Sequence, residues 1–311
     1  MTTNNLFVFD ENGKVKNIIR STGKGPGEFF QMDGFQVTED RIYIQDTYLR
    51  KNLEYKRDGS FVGETKNRFN NADFYVGDDY SLYFLSYQTD FEGFNFIRKD
   101  HISGKHEGFL EIRKELENLT RSDNRNGIQE NIEQKLLYFT VPHSTKVVTI
   151  NKNTGLLNKT YKFDFGKYNL EDKRRSESRR LLNGFIKQGN LVKRIYLFHP
   201  LTGQYFLNVK QGENRNHFIF MNNDFSINYQ GYNLENDIDG MNYRFPWTAT
   251  DNQLIFRFNS REFYNRYIET FTGMNVRIDK GNIHDFFQKN KENLKEDKWV
   301  LVKLKISPVS K

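Results

Sequence analysis

Apolar and polar residues alternate over short stretches of this chain, and the stretches keep returning. Leu6-Phe7-Val8-Phe9 runs into Asp10-Glu11-Asn12-Gly13 and on to Val15, and Leu53-Glu54-Tyr55-Lys56 runs into Arg57-Asp58-Gly59-Ser60 and on to Phe61-Val62. The order repeats from Phe94 to Gly104, from Val147 to Gly155 and from Phe218 to Asp224. A period of two marks a half-buried strand, and Asp, Asn and Gly supply the turn, so each unit predicts a β-hairpin. Recurrence at roughly 40–50 residues, with one longer gap, is the blade period of a β-propeller.

Between the hairpins lie shorter apolar segments that predict the inner strands of the blades: 41–46, 81–86, 135–140, 204–209 and 253–258. Each carries Tyr, Phe or Ile at its centre, as a strand packed on both faces requires. The expected fold is therefore all-β, a propeller of four-stranded blades spanning residues 1–311 as one domain. The termini leave the number open. The first hairpin has no inner strand before it, and Trp299-Val300-Leu301-Val302-Lys303-Leu304-Lys305-Ile306 is a strand with no hairpin after it. Pairing first and last strands would remove the exposed edge of the ring. The reading is a ring of six blades, five being the alternative, closed by the strand at about 299–306 lying in one sheet with the N-terminal hairpin.

Two stretches change period. Asn169 to Gln188 places Leu181, Leu182, Phe185 and Ile186 at helical spacing, and Gly281 to Asp297 does the same with Ile283, Phe286, Phe287 and Leu294. One or two short helical insertions follow, and the polar stretch 117–134 reads as a long loop.

Composition narrows the function classes. The chain has 311 residues, 36% of them hydrophobic, yet 29 are Phe and 17 Tyr, which suits thin aromatic cores between sheets. Its net charge of +7 comes from 47 basic and 40 acidic residues spread along the chain. Even Lys173-Arg174-Arg175 is interleaved with Glu171, Asp172 and Glu177, so no nucleic-acid footprint emerges. The absence of cysteine removes disulfides, thiolate metal sites and a cysteine nucleophile. No run approaches the roughly 20 apolar residues of a membrane-spanning helix, and Met1-Thr2-Thr3-Asn4-Asn5 does not open a signal peptide. A monomer is expected.

Gly23-Lys24-Gly25-Pro26-Gly27-Glu28-Phe29 lacks the Lys-Ser/Thr of a phosphate-cradling loop. It reads as a turn that uses glycine for positive φ, with Glu28 accepting backbone N–H groups or pairing with a neighbouring blade. This motif, after a strand and an Asp-x-x-Gly turn, resembles the six-bladed β-propeller lipoproteins of Bacteroides-type bacteria, distant relatives of NHL-repeat propellers. Asn236-Asp237-Ile238-Asp239-Gly240 with Phe245-Pro246-Trp247 is similar to that family's late element, and Val300 to Lys305 to its closing strand. The chain departs from the pattern in starting without the first inner strand and in carrying Lys298-Trp299 where Asn-Pro is commoner. The resemblance implies a cell-envelope location, periplasmic or surface-exposed, through a lipidated cysteine upstream of Met1, and it implies no established activity.

The six histidines are dispersed, with no His-Glu-x-x-His or His-x-His, so spacing offers no metal site. An axial Ca²⁺ or Zn²⁺ assembled from several blades stays open, with His143 the first candidate. The most suggestive constellation is Asp237 and Asp239 with Arg244, Trp247 and Arg257. Paired acids beside an aromatic platform suit sugar hydroxyls, a cation or acid–base work; the alternative is an Asx turn whose acids cap backbone N–H groups. The leading function is a non-enzymatic binding module presenting a loop face to a carbohydrate, peptide or protein. The rival is a hydrolase or lyase with an axial metal.

Overall fold

The computed structural model describes residues 5–10, 14–20, 22–69, 71–85, 93–111, 127–131, 133–141, 144–170, 177, 179–212, 215–232, 239–241, 243, 246–250 and 252–306. Its strands form consecutive antiparallel sheets, each built from neighbours in sequence. The first is the hairpin β1 (Asn5–Phe9) and β2 (Val15–Arg20). Four four-stranded sheets follow: β3 (Gly34–Val37) to β6 (Phe61–Lys66), β7 (Asp73–Val76) to β10 (His106–Glu111), β11 (Gln129–Asn131) to β14 (Leu157–Lys162), and β15 (Val192–Leu201) to β18 (Ile227–Gly231). The last sheet has three strands, β19 (Thr248–Thr250), β20 (Gln253–Asn259) and β21 (Trp299–Lys305).

This is a propeller, and the local chemistry accounts for its repetition. The hairpin turns reuse one device, a carboxylate or amide oxygen capping the turn: Asp58 Oδ1 accepts from Ser60 N, Asp100 Oδ1 from Ser103 N, Asn151 Oδ1 from Asn153 N and Asp224 Oδ1 from Ser226 N. Glycine supplies the left-handed residue at Gly59 (φ 83°), Gly104 (φ 68°) and Gly155 (φ 70°). First strands of successive sheets lie against one another, β3 on β7, β11 on β15 and β15 on β19, while the fourth strands β6, β14 and β18 are largely exposed. Each sheet is thus wedged between neighbours at its inner end and solvated at its rim.

Five apolar cores stitch the sheets in sequence. Leu6 and Ile19 of the first hairpin meet Ile44, Leu53 and Tyr55; the next cores centre on Phe74 with Tyr83, Phe84 with Phe139, and Tyr138 with Phe198. The fifth joins Phe206 and Phe218 to Phe256, Phe258 and the helices. Among the described residues no core joins the last sheet to the first hairpin.

The expected closure is corrected by these pairings. Strand β21 pairs with β20 from Gln253↔Lys305 to Asn259↔Trp299, and β1 pairs with β2, so the terminal elements lie in separate sheets. The reason lies in the insertion: α2 (Ser260–Phe271) and α3 (Ile283–Asn290) return the chain to the free edge of β20. Helix α1 (Arg179–Gly189) and α3 fall within the expected stretches, whereas α2 is a third helix that the alternation concealed. In α1, Leu182 and Ile186 pack on Leu170, and Leu181 faces outward. Strand β11 replaces part of the expected loop at 117–134, of which 117–126 and 132 lie outside the described residues, as does 171–176 with its basic cluster.

The glycine motif is structural. Gly25 N donates to Glu28 Oε2 at 2.8 Å, Gly27 N to Glu64 Oε2 at 3.1 Å, and Lys51 Nζ bridges Gly25 O and Glu64 at 2.9 and 2.8 Å. Tyr55 OH donates to Gly27 O at 2.7 Å, and Phe29 is fully buried beneath. The motif ties the link between first hairpin and second sheet to strands β5 (Lys51–Lys56) and β6. Burial pushes the Glu64 carboxyl up, but the hydrogen bonds from Lys51 and Gly27 outweigh it, and its pKa ends below the ordinary value.

Candidate functional site

Of the six residues singled out from sequence, Asp237, Arg244 and His143 lie outside the described residues. Asp239 turns inward: its Oδ1 accepts from Met241 N at 2.9 Å and its Oδ2 from Tyr243 OH at 2.6 Å. These two bonds have the local geometry of an Asx turn. Burial, and next the bond to Asp239, raises the Tyr243 phenol well above its ordinary pKa, so it stays a neutral donor.

Trp247 and Arg257 do come together, and they bring a third residue. The Arg257 guanidinium lies 4.6 Å from the Trp247 ring centre and 4.4 Å from that of Trp299. Alternation along β20 sends Leu254, Phe256 and Phe258 into the core and Arg257 out. Along β21, Val300 is buried while Trp299, Leu301, Lys303 and Lys305 face solvent. Register places Arg257 opposite Leu301, so Trp299 is its diagonal neighbour across the pair, within reach of a long side chain. Trp247 arrives from the bend before β19, held by its N–H to Ile255 O at 2.7 Å. Trp299 is 63% exposed, Leu301 54% and Trp247 44%.

The result is an aromatic and cationic face on the last sheet, with a guanidinium over two indoles, an arrangement worth about 0.5–1 kcal/mol per exposed cation–π contact. Trp299 is not legible as a site residue from sequence because Arg257 and Trp247 lie about forty and fifty residues upstream, across the helical insertion. The available signal was that the chain holds only two tryptophans and the structure places both here.

Two buried titratable groups, His199 and Asp73, are engaged in local contacts. His199 on β15 sits 3.0 Å by Nδ1 from Gln129 Oε1, and burial pulls its pKa down to about 4. Asp73 on β7 accepts from Phe74 N at 2.9 Å and Ile128 N at 2.8 Å, and burial nevertheless pushes its pKa up to about 6. Among the described residues no three His, Asp or Glu side chains converge in a way that would hold a metal ion, and none of their helices is long and apolar enough to cross a membrane.

Sheets of this order and pairing define the class, a β-propeller, and comparison with known proteins places the chain within it. The DUF5128 family, described as a 6-bladed beta-propeller, matches residues 1–257, and the chain belongs to that family. The fold is similar to the crystal structure of a Bacteroides fragilis protein named as exported, with a TM-score of 0.72 at 15% identity over 98% of this chain and 86% of that one. It is also similar to a Bacteroides vulgatus member of the duf4221 family, with a TM-score of 0.51 at 12% identity over 81% and 80% of the two chains. At such identities the likeness is one of fold. No curated protein sequence matches the chain.

Proposed function

We propose that this chain is a non-enzymatic binding module of the cell envelope that receives an acidic peptide or protein segment on the open face of its last sheet. The observation that carries the reading is the exposed Trp247–Arg257–Trp299 face. Contiguous exposed apolar surface on a folded chain marks interaction sites, and Trp and Arg are the residues enriched where interfaces concentrate their energy. Lys303 and Lys305 extend the positive charge along β21, which selects a partner carrying Asp or Glu around an apolar anchor. The envelope location is supported by the family resemblance and by the similarity to a Bacteroides protein named as exported.

The test is a peptide-array and glycan-array screen of the intact chain beside Trp247→Ala/Trp299→Ala. Acidic peptides retained by the first and lost by the second, with unchanged melting temperature, are the expected result. Binding confined to glycans, or peptide binding indifferent to both indoles, would refute the assignment. A large drop in melting temperature would instead make the indoles part of the core.

A further inference from the structure

The outer part of the contact between the fourth and fifth sheets stays open. A cavity of about 580 Å³ lies there, between β14 with the segment after it and β16 (Gln204–Gln211), β17 (Arg215–Asn222) and β18. That volume is within the roughly 300–1,000 Å³ of small-molecule sites. Much of its lining is apolar: an aromatic cluster of Tyr161, Phe163 and Phe225, with Ile219 and Met221 of β17.

The cavity has one polar end. His217 stacks on Tyr232 with ring centres 4.8 Å apart and planes 25° apart, and Tyr232 OH donates to Gln211 Oε1 at 3.2 Å. Gln211 is buried. Among the described residues neither ring nitrogen of His217 has a hydrogen-bond partner. Burial lowers the pKa of this imidazole, which leaves a neutral ring with one donor and one acceptor to offer. The charged lining residues Lys162 and Asp164 are exposed and of opposite sign, and Asp164 is already engaged by Gly166 N and the Asn169 side chain.

Phe225 supplies the second, independent observation. The turn Asp224-Phe225-Ser226 repeats Asp58-Gly59-Ser60, with the same oxygen-to-Ser N–H cap. Where the earlier hairpin uses Gly59 at φ 83°, this one forces a phenylalanine to φ 65°. A bulky residue in the left-handed region is strained, and such strain persists where the side chain is needed. Here the ring stacks on Tyr205 at 4.7 Å and 10° and meets Tyr161 at 4.8 Å, forming a continuous aromatic wall.

We infer that this cavity is a binding site for an uncharged, flat, largely apolar small molecule, held against the aromatic wall and hydrogen-bonded at one end by His217. The site is distinct from the Trp247–Arg257–Trp299 face, and its occupant need not be that partner.

The probe is N-phenyl-1-naphthylamine, an uncharged aromatic amine that brightens in apolar surroundings, titrated into the whole chain. Saturable binding at one site per chain is expected. Ile227→Trp, at a lining position 57% exposed and so free of the core, should weaken it at least tenfold with melting unchanged. Ile219→Trp, which fills the cavity from its buried wall, should do the same. The sulfonated analogue 1-anilinonaphthalene-8-sulfonate should bind at least tenfold more weakly than the neutral probe, and Trp247→Ala/Trp299→Ala should leave the titration unmoved. Failure to saturate, equal binding by Ile227→Trp, or equal affinity for the anionic probe would overturn the inference.

Discussion

Replacing Gly27 by valine tests the account of the glycine motif. The residue sits at φ 72°, and its backbone is pinned on both sides, its N–H by Glu64 and its carbonyl by Tyr55 OH, so the peptide cannot rotate out of the left-handed region without losing both bonds. An L side chain there costs about 1–2 kcal/mol. A Cβ would also come within 3.0 Å of Phe61 Cγ, in a ring that packs edge-on against Tyr55. Pushing that ring off its rotamer adds about 1 kcal/mol. The sum, about 2–3 kcal/mol, corresponds to a fall in melting temperature of roughly 3–5 °C for a chain of this length. Gly25→Val is the internal control. That glycine lacks a positive φ, and its Cβ would meet only the flexible tip of Glu28 at 3.1 Å, so less than about 1 kcal/mol is expected. Thermal melts of both variants, followed by circular dichroism, decide the matter. If the two fall together, or if Gly27→Val melts like the parent, the conformational argument is wrong.

Two buried groups should give opposite pH slopes. With its folded pKa drawn down to about 4, His199 loses stability as pH falls from about 6.5 to 4, because the unfolded chain takes a proton that the fold refuses; Asp73, raised to about 6, gains stability as pH falls from about 6 to its unfolded value. His199→Asn should therefore make the urea-unfolding profile between pH 6.5 and 4.5 fall less, or rise more, toward acid than the parent's, and identical slopes would refute the assignment. Phe225→Gly should change stability little, since relief of about 1–2 kcal/mol of backbone strain offsets about 1.5–3 kcal/mol of lost ring burial. The same variant should weaken binding of the neutral naphthylamine severalfold, and a loss of stability without a loss of binding would show Phe225 to be a core residue alone.

Local signals in the sequence were sufficient for most of the fold. The strand expected at 41–46 is β4 (Arg41–Asp46), and the stretch at 253–258 is β20 less its last residue, because alternation and Asx–Gly turns are properties of adjacent residues. Strand β11, Gln-Glu-Asn, carries no apolar alternation and read as loop. Helix α2 read as nothing, although Asn259 caps it and Phe263, Tyr267 and Phe271 recur every four residues, because Phe256 and Phe258 continue the strand period up to its first turn. The candidate sites depend on what distant segments do to one another. Asp239 pairs four residues along, but Arg257 finds Trp299 only once the insertion has folded. The cavity, too, is lined by segments of two sheets at once, which no local pattern reveals.

Among the described residues the apolar cores run between consecutive sheets, so each unit depends on its neighbours and opening should start at the terminus with the thinner core. The two termini are unequal. The last sheet is gripped by α2 and α3 through Phe263, Tyr267 and Phe287, whereas the first hairpin rests on Leu6 and Ile19 and leaves Phe7 and Phe9 exposed. Native-state hydrogen exchange should accordingly release β1 and β2 first, β19 to β21 later and the middle sheets last, and simultaneous release would mean that the ends are joined after all. The molecule would come apart from one side, like a stack of cards with only its top card loose.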